Sequence, residues 1–449
     1  MPGPSAQEST VADVVVERLR AWGVTRMFGY SGDGIDGLMG ALQRDGGIEF
    51  VQARHEESAA FMACAHAKYT GDLGVVTSTQ GPGAIHLLNG LYDAKLDHKP
   101  VLAIIGQQRR SVLGSAYQQE IALPLLFSDV AAQYLTTIEV PEQVPSVVDR
   151  AIRVALSTRS PTCLVFPHDV QTAPAPELPA REHGVIHTAT GWEPPVVVPP
   201  AEALERAAAV LNAGRRVAIV VGQGAATAAS QVAAVADVLG AGVAKALLGK
   251  AVLPDDLPYV TGAIGHLGTT ASQVLVDGCD TLLLIGTNEP YTEFLPPPGQ
   301  ARGVQIDIDG RNVGNRYPTE INLVGDAGAT LDRLLPLLRA KPDRTWRHVV
   351  ESAVADWWTD SERRALAPGC PLNPQRLVWE LSPRLPDDAL LAVDVGSITY
   401  WYARHLRLRG TMQAHLSSTL ASMGSAMPYA VAAKLAYPGR LVVALAGDG

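Results

Sequence analysis

ESAAFMACAHAKYT, residues 57–70, is followed by GVVTST at 74–79, AIHLLNGLYDAK at 84–95 and VLAII at 101–105, a succession that reads helix, strand, helix, strand. The first helix is built from small residues and stops at Gly71, which can adopt the left-handed conformation that ends helices. The strands are apolar on both faces. Strands of that kind, alternating with helices, form a parallel sheet covered on each side, which is a doubly wound α/β arrangement.

Upstream, Thr10 with Asp13 gives a helix-start signal, and Val14, Val15, Leu19 and Trp22 recur at helical spacing. Arg26–Gly29 is a short strand. Downstream, a proline-rich stretch over 173–200 can continue neither kind of element and reads as a linker closing a first domain at 1–172. The alternation restarts in a second domain, 201–340, with strand 217–221, helix 225–239, strands 282–285 and 304–308, and helix 329–338. A polar, Trp-containing stretch, 341–372, reads as a second linker. It leads to a third unit, 373–449, with strand 390–393, helix 424–436 and strand 441–446. The expected fold is three successive doubly wound parallel-sheet domains, the third incomplete, so the chain is expected to be a piece of a longer protein.

The chain has 449 residues, 36 Lys plus Arg against 45 Asp plus Glu, a net charge of −9, and 47% hydrophobic residues. No basic surplus is available for nucleic acid or an anionic membrane. No apolar run approaches the ~20 residues needed for a transmembrane segment, and no leader is evident, so the expected location is cytoplasmic. Cys64, Cys163, Cys279 and Cys370 are scattered without a CxxC pair, which excludes a zinc framework and leaves all four as buried fillers.

Four places could carry chemistry. Glu56 and Glu57 follow Arg54-His55 at the start of a nearly all-apolar helix, where a carboxylate either complements the helix dipole or, poorly solvated, shuttles a proton. Gly81-Pro82-Gly83 sits at a strand C-terminus, the edge where open α/β sheets bind ligands. His86 and Tyr117 fit a catalytic or a purely structural role. Gly222-Gln223-Gly224 between strand and helix is either a tight turn or a place where backbone meets a pyrophosphate, with Asp307 and Asp309 as acceptors for a ribose. Finally, Gly447-Asp448-Gly449 ends a strand and reads as an ordinary turn or as the start of a site for a hard cation on a diphosphate.

In order along the chain stand FGYSGDGIDGL (28–38), RHEESAAF (54–61), GPGAIHLLNGLYDA (81–94), YQQE (117–120), IGTNEPY (285–291), QIDID (305–309), VGDAG (324–328), VDVGS (393–397), SMGSAMP (422–428) and the terminal GDG. This ordered set resembles the thiamine-diphosphate-dependent enzymes of the pyruvate oxidase, pyruvate:quinone oxidoreductase and acetolactate synthase group. The resemblance implies an N-terminal domain for the aminopyrimidine, a central FAD-binding domain, and a C-terminal domain for diphosphate and Mg²⁺. It implies a homodimer or homotetramer with the active site between subunits.

By the same resemblance Glu56 is the carboxylate on the aminopyrimidine, Gln119 lines the substrate side, and Met423 holds the cofactor bent. Gly396 and Ser397 contact the diphosphate and Asp448 is a metal ligand. Gly32, Asp33, Gly34, Gly81, Pro82, Gly83 and Gly447 belong to the thiamine site. Gly286, Thr287, Asp307 and Asp326, with Gly222 and Gly224, belong to the FAD site. Gln118 and Gly34 depart from the group, which often carries Phe and Ser there. The implied reaction is decarboxylation of a 2-keto acid, pyruvate foremost, with electrons passing through FAD to a quinone or O₂. Two alternatives stand beside it, a carboligase of acetolactate synthase type with structural FAD, and a non-catalytic fragment or paralogue.

Overall fold

The computed structural model describes residues 8–447, so Asp448 and Gly449 lie outside the described residues. Three parallel sheets follow one another, as the alternation of apolar strands with helices demands. The first contains β1 (Arg26–Gly29), β2 (Glu49–Gln52), β3 (Gly74–Ser78), β4 (Val101–Gln107), β5 (Leu135–Thr137) and β6 (Pro161–Pro167), in the spatial order β2-β1-β3-β4-β6-β5. The second contains β7 (Val217–Val221), β8 (Gly242–Lys245), β9 (Val260–Ala263), β10 (Thr281–Ile285), β11 (Arg302–Asp307) and β12 (Ile321–Val324), ordered β12-β11-β10-β7-β8-β9. Numbered from its own first strand, that order is the 3-2-1-4-5-6 of dinucleotide-binding folds. The third sheet has three strands, β13 (Leu390–Val393), β14 (Gln413–His415) and β15 (Val442–Leu445), ordered β14-β13-β15.

Each sheet has a point where the chain leaves one strand to build in the opposite direction. In the first it lies between β1 and β3, in the second between β7 and β10, in the third between β13 and β15. Crevices at such points, outside the strand C-termini, are where open α/β sheets hold ligands.

The chain packs as two compact units. One runs through Pro194 and takes in Ser417–Gly439; the other comprises Pro195–Leu416 with the strand that follows Arg440. The first unit's core joins Val11, Val15 and Leu19 of helix Val11–Ala21, capped by Thr10 and Asp13, to Val75, Leu102, Ile104 and Leu164 of the sheet. In the second unit, Val217, Ile219, Leu283, Val304 and Leu331 form a core between β7, β10, β11 and helix Ala327–Leu334.

Several expectations need correction. The stretch read as a linker over 341–372 contains the 21-residue helix Thr345–Ala365. Its polar composition hides one buried stripe, in which Arg347, Val350, Val354, Trp357, Ser361 and Ala365 recur every three or four residues. The helix expected at 225–239 begins only at Ala229, because the chain first makes a 3₁₀ turn, Gln223–Ala225, tied down by Gly224 N–H donating to Gly286 O. The helix expected to reach 338 gives way after Leu334 to a 3₁₀ turn around Pro336, whose ring cannot continue it. Cys370 is exposed, unlike the other three cysteines, since prolines and a glycine flank it on a turn between two helices. Among the described residues, no helix is long and apolar enough to cross a membrane.

Candidate functional site

The first sheet's switch point gathers the loop after β1, the turn after β3, and the start of helix Glu56–Thr70. His55 caps that helix, its Nδ1 accepting from Glu57 N–H at 3.2 Å, so Glu56 is the first helical residue, one earlier than the sequence pattern marked. Glu56 is 9% exposed, and its Oε2 lies 2.9 Å from His86 Nδ1. Its other oxygen faces Gly83, where a Cβ would stand 3.1 Å from Oε1. Glycine therefore leaves room at the free edge of this carboxylate.

His55 stacks on His86 with ring centroids 4.2 Å apart, and ligand-type atoms of His55, Glu56 and His86 fall within 4.8 Å of one another. A cation there would meet the positive end of a helix. His55 Nδ1 is also already spent on the cap. The group is better suited to a carboxylate–imidazole pair that passes a proton.

Gly81-Pro82-Gly83 opens helix Pro82–Leu96, with Pro82 at its first position, where its missing N–H costs nothing. Gly81 has φ +61°, and a Cβ on it would lie 2.8 Å from Gln119 Cβ, so the turn and the loop of Gln119 touch. Gln119 itself has φ +60°. A non-glycine residue in that region is strained, and such strain concentrates at sites. Glu120 clasps the loop by accepting from Gly114 N–H at 2.6 Å and Tyr117 N–H at 3.0 Å, and these donors hold its carboxyl below the usual range. Tyr117 is exposed, as is Gln118. Gly32, Asp33 and Gly34 lie at the same place: Gly34 N–H donates to Thr79 Oγ1 at 3.1 Å, and Thr79 Oγ1 lies 3.3 Å from Asp33 Oδ1. Thr79 and Gln80, which join these pieces, escape a reading of the sequence because a polar pair between a strand and a glycine turn looks like any loop.

Within the same unit, the segment carrying Met423 is pinned to helix Pro82–Leu96 at two points. Asp97 accepts from Ser418 N–H and Thr419 N–H, each at 3.0 Å, and Asn89 Nδ2 donates to Ser422 Oγ at 2.8 Å as well as to Glu57. Met423 is exposed. Behind them lies a buried charge cluster: Lys68 Nζ is 3.2 Å from Asp93, 2.7 Å from Asp97 and 2.6 Å from Tyr429 Oη. Burial acts to drive the proton off Lys68, but the two carboxylates outweigh it and hold the amine above its ordinary value.

The second sheet's switch point is built differently. Gly222 N–H donates to Ile285 O and Gly224 N–H to Gly286 O, both at 3.0 Å. A Cβ on Gly222 would lie 2.3 Å from Gly286 O, and one on Gly224 2.7 Å from Gly286 Cα. These glycines serve close packing of two loops, and those two N–H groups are not available to a pyrophosphate. Beyond them, Thr287 is 5% exposed and its hydroxyl has no hydrogen-bond partner among the described residues. Glu289 is buried, and loss of water pushes its carboxyl up to about 7. Asp307 Oδ1 accepts from Asp309 N–H at 2.8 Å, and Asp326 caps helix Ala327–Leu334 by accepting from Ala329 N–H at 2.9 Å.

At the third switch point, Gly396 has φ +126° and precedes Ser397, the first residue of helix Ser397–His405. A Cβ on Gly396 would meet nothing within 4 Å, so the space before this helix N-terminus is open, as an anion site requires. Gly447 follows β15 beside it, and the candidate metal ligand Asp448 lies outside the described residues.

Three family models match in succession: the N-terminal thiamine pyrophosphate binding domain over residues 9–126, the central domain over 204–334, and the C-terminal thiamine pyrophosphate binding domain over 394–449. The protein YdaP of Bacillus subtilis (strain 168) is 36% identical, over 98% of this chain and 75% of its own. The chain belongs to the thiamine pyrophosphate enzyme family. It is also 32% identical to a pyruvate oxidase of Lactiplantibacillus plantarum, over 97% of this chain and 72% of the relative. The large subunit of acetolactate synthase isozyme 2 of Escherichia coli is 33% identical, over 98% and 78%. Two near-equal relatives with different reactions leave the kind of reaction to the site itself.

Proposed function

We propose that this thiamine-pyrophosphate-dependent enzyme decarboxylates a 2-keto acid, pyruvate foremost, and passes the electrons through FAD to a quinone or O₂. The observation that carries the reading is Glu56, buried at a switch point with one oxygen on His86 and the other facing a glycine. When bound, thiamine diphosphate supplies a thiazolium that stabilises negative charge on the substrate carbon, and FAD supplies a two-electron acceptor.

The protein's share is orientation and proton traffic. Glu56 Oε1, which faces Gly83, would hold the aminopyrimidine by a hydrogen bond. The Glu56 side chain is 11% exposed and that of His86 41%, so the imidazole connects a buried acid to water. Proton exchange at Oε1 is thereby relayed without opening the site. Gly396 and Ser397 offer a helix N-terminus to the diphosphate, and Asp448 would begin the Mg²⁺ site. The FAD site is supported by the 3-2-1-4-5-6 strand order and by the unpartnered Thr287 hydroxyl, which a flavin nucleotide would satisfy; Gly286, Asp307 and Asp326 flank it. Two copies of the chain form the working unit.

Pyruvate added to protein loaded with thiamine diphosphate, Mg²⁺ and FAD tests this. Bleaching of the flavin absorbance without acetolactate supports the reading. Acetolactate without bleaching makes the chain a carboligase, the alternative favoured by its likeness to the Escherichia coli synthase. Failure of both makes it non-catalytic.

A further inference from the structure

Gln80 is 1% exposed although it is long and polar, and every polar atom of its side chain is engaged. Its Oε1 accepts from Thr79 Oγ1 at 2.8 Å; its Nε2 donates to Gln119 Oε1 at 3.0 Å and faces Asp33 Oδ1 at 3.4 Å. A carboxylate can only accept, so the amide has one workable orientation, with Nε2 toward Asp33. The reverse would place a carbonyl oxygen against the Asp33 carboxylate. Gln119 is then fixed in turn. Its Oε1 is spent on Gln80, and its NH₂ group donates to no described residue.

Room for this arrangement comes from the loop after β1. A Cβ on Gly34 would stand 1.3 Å from Gln80 Oε1, closer than any non-bonded contact. Gly34 is not left-handed, so the demand is for space and not for backbone freedom. Position 34 can carry a side chain only if Gln80 leaves and Thr79 Oγ1, 2.7 Å from the same Cβ, shifts slightly.

We propose that Gln80, admitted by Gly34, is a positioning residue that locks the Gln119 amide with its NH₂ group free to donate, so that the substrate group met by Gln119 is an acceptor, the carboxylate or carbonyl oxygen of a 2-keto acid. This rests on the function proposed above, and the two can fail separately. In the loaded enzyme, Gln80→Ala raises KM for pyruvate about tenfold, the loss of about one hydrogen bond, while kcat and thiamine diphosphate affinity stay within about twofold. Gln80→Glu, the same shape with an acceptor in place of the donor, does at least as much harm.

Gly34→Ala lowers the melting temperature by several degrees in the parent and by clearly less in the Gln80→Ala background, where the 1.3 Å overlap with Gln80 Oε1 is gone and only the 2.7 Å approach to Thr79 Oγ1 remains. Unchanged KM in Gln80→Ala, or an equal cost of Gly34→Ala in both backgrounds, overturns the proposal. A parent protein that neither binds thiamine diphosphate nor consumes a 2-keto acid overturns the functional reading instead, and the melting cycle still decides whether Gln80 and Gly34 form a pair.

Discussion

The switch points of the first and second sheets begin from the same ingredients, a glycine turn after a buried strand, and end as opposites. After β3 the turn Gly81-Pro82-Gly83 closes on side chains, with the places a Cβ would take on Gly81 and Gly83 lying 2.8 Å from Gln119 Cβ and 3.1 Å from Glu56 Oε1. After β7 the turn Gly222-Gln223-Gly224 closes on Gly286, and carbonyl oxygens take both glycine N–H groups. A glycine at a strand end therefore marks close approach, and only its neighbours say whether a ligand or another loop does the approaching. The difference lies in what the opposing loop brings: side chains with unspent polar atoms in the first, bare backbone in the second.

The largest expected effect breaks the comparison on its polar side. Glu56→Gln keeps the shape of the carboxyl and removes its proton, so turnover of a 2-keto acid falls by roughly 10²–10⁴ with the melting temperature nearly unchanged. Steady-state kinetics on the loaded enzyme checks it. Turnover within tenfold of the parent would mean that Glu56 handles no proton in the reaction.

Next in size is Gly222→Ala. Its Cβ would fall 2.3 Å from a backbone carbonyl that cannot swing away, so stability drops by about 1–3 kcal/mol or more, read from the urea midpoint, while thiamine diphosphate affinity is unaffected. A tolerated alanine would show that the two loops are not in fact closed on one another.

The same contrast explains what could be read from the sequence. Gly71 as a helix stop, the capping of Thr10 by Asp13 and the strand ends of β1, β7 and β13 were legible, because each is decided by residues within a few positions. Helix Thr345–Ala365 was not, since its buried stripe includes an Arg and a Ser that read as polar surface. Nor was the Lys68 cluster. Lys68 meets Asp97 at a separation of 29 residues and Tyr429 at 361, and no local spacing announces such partners. Glu56 and the glycine turns could be picked out as candidates, whereas Gln80 could not, because its role comes from Asp33 and Gln119, 47 and 39 residues away.

A smaller effect depends on pH and sharpens the closed side. Burial pushes the Glu289 carboxyl up to about 7, against about 4.3 in an unfolded chain. Between those values the folded protein binds the extra proton, so stability falls as pH rises from about 4.5 to about 7 and stays lower above that. Glu289→Gln removes the slope. Urea midpoints of parent and variant should diverge as pH is raised from 5 to 8, with the variant the more stable at 8. Parallel curves would mean that water reaches this carboxyl and the second switch point is not closed.

The smallest effect separates a packed loop from a nucleotide site. Among the described residues the Thr287 hydroxyl is buried without a partner, a state that costs stability unless a ligand completes it. Thr287→Val keeps the shape and deletes the orphan group, so the FAD-free protein should gain up to about 1 kcal/mol by thermal melting. If a flavin nucleotide bonds that oxygen, the same variant binds FAD several-fold more weakly, measured by quenching of flavin fluorescence. Opposite signs in the two measurements identify the hydroxyl as a ligand group held in reserve, because no packing defect could stabilise the empty protein and weaken the loaded one. Two changes of the same sign would make Thr287 part of the closed loop contact, and the second sheet would then hold no flavin at its switch point.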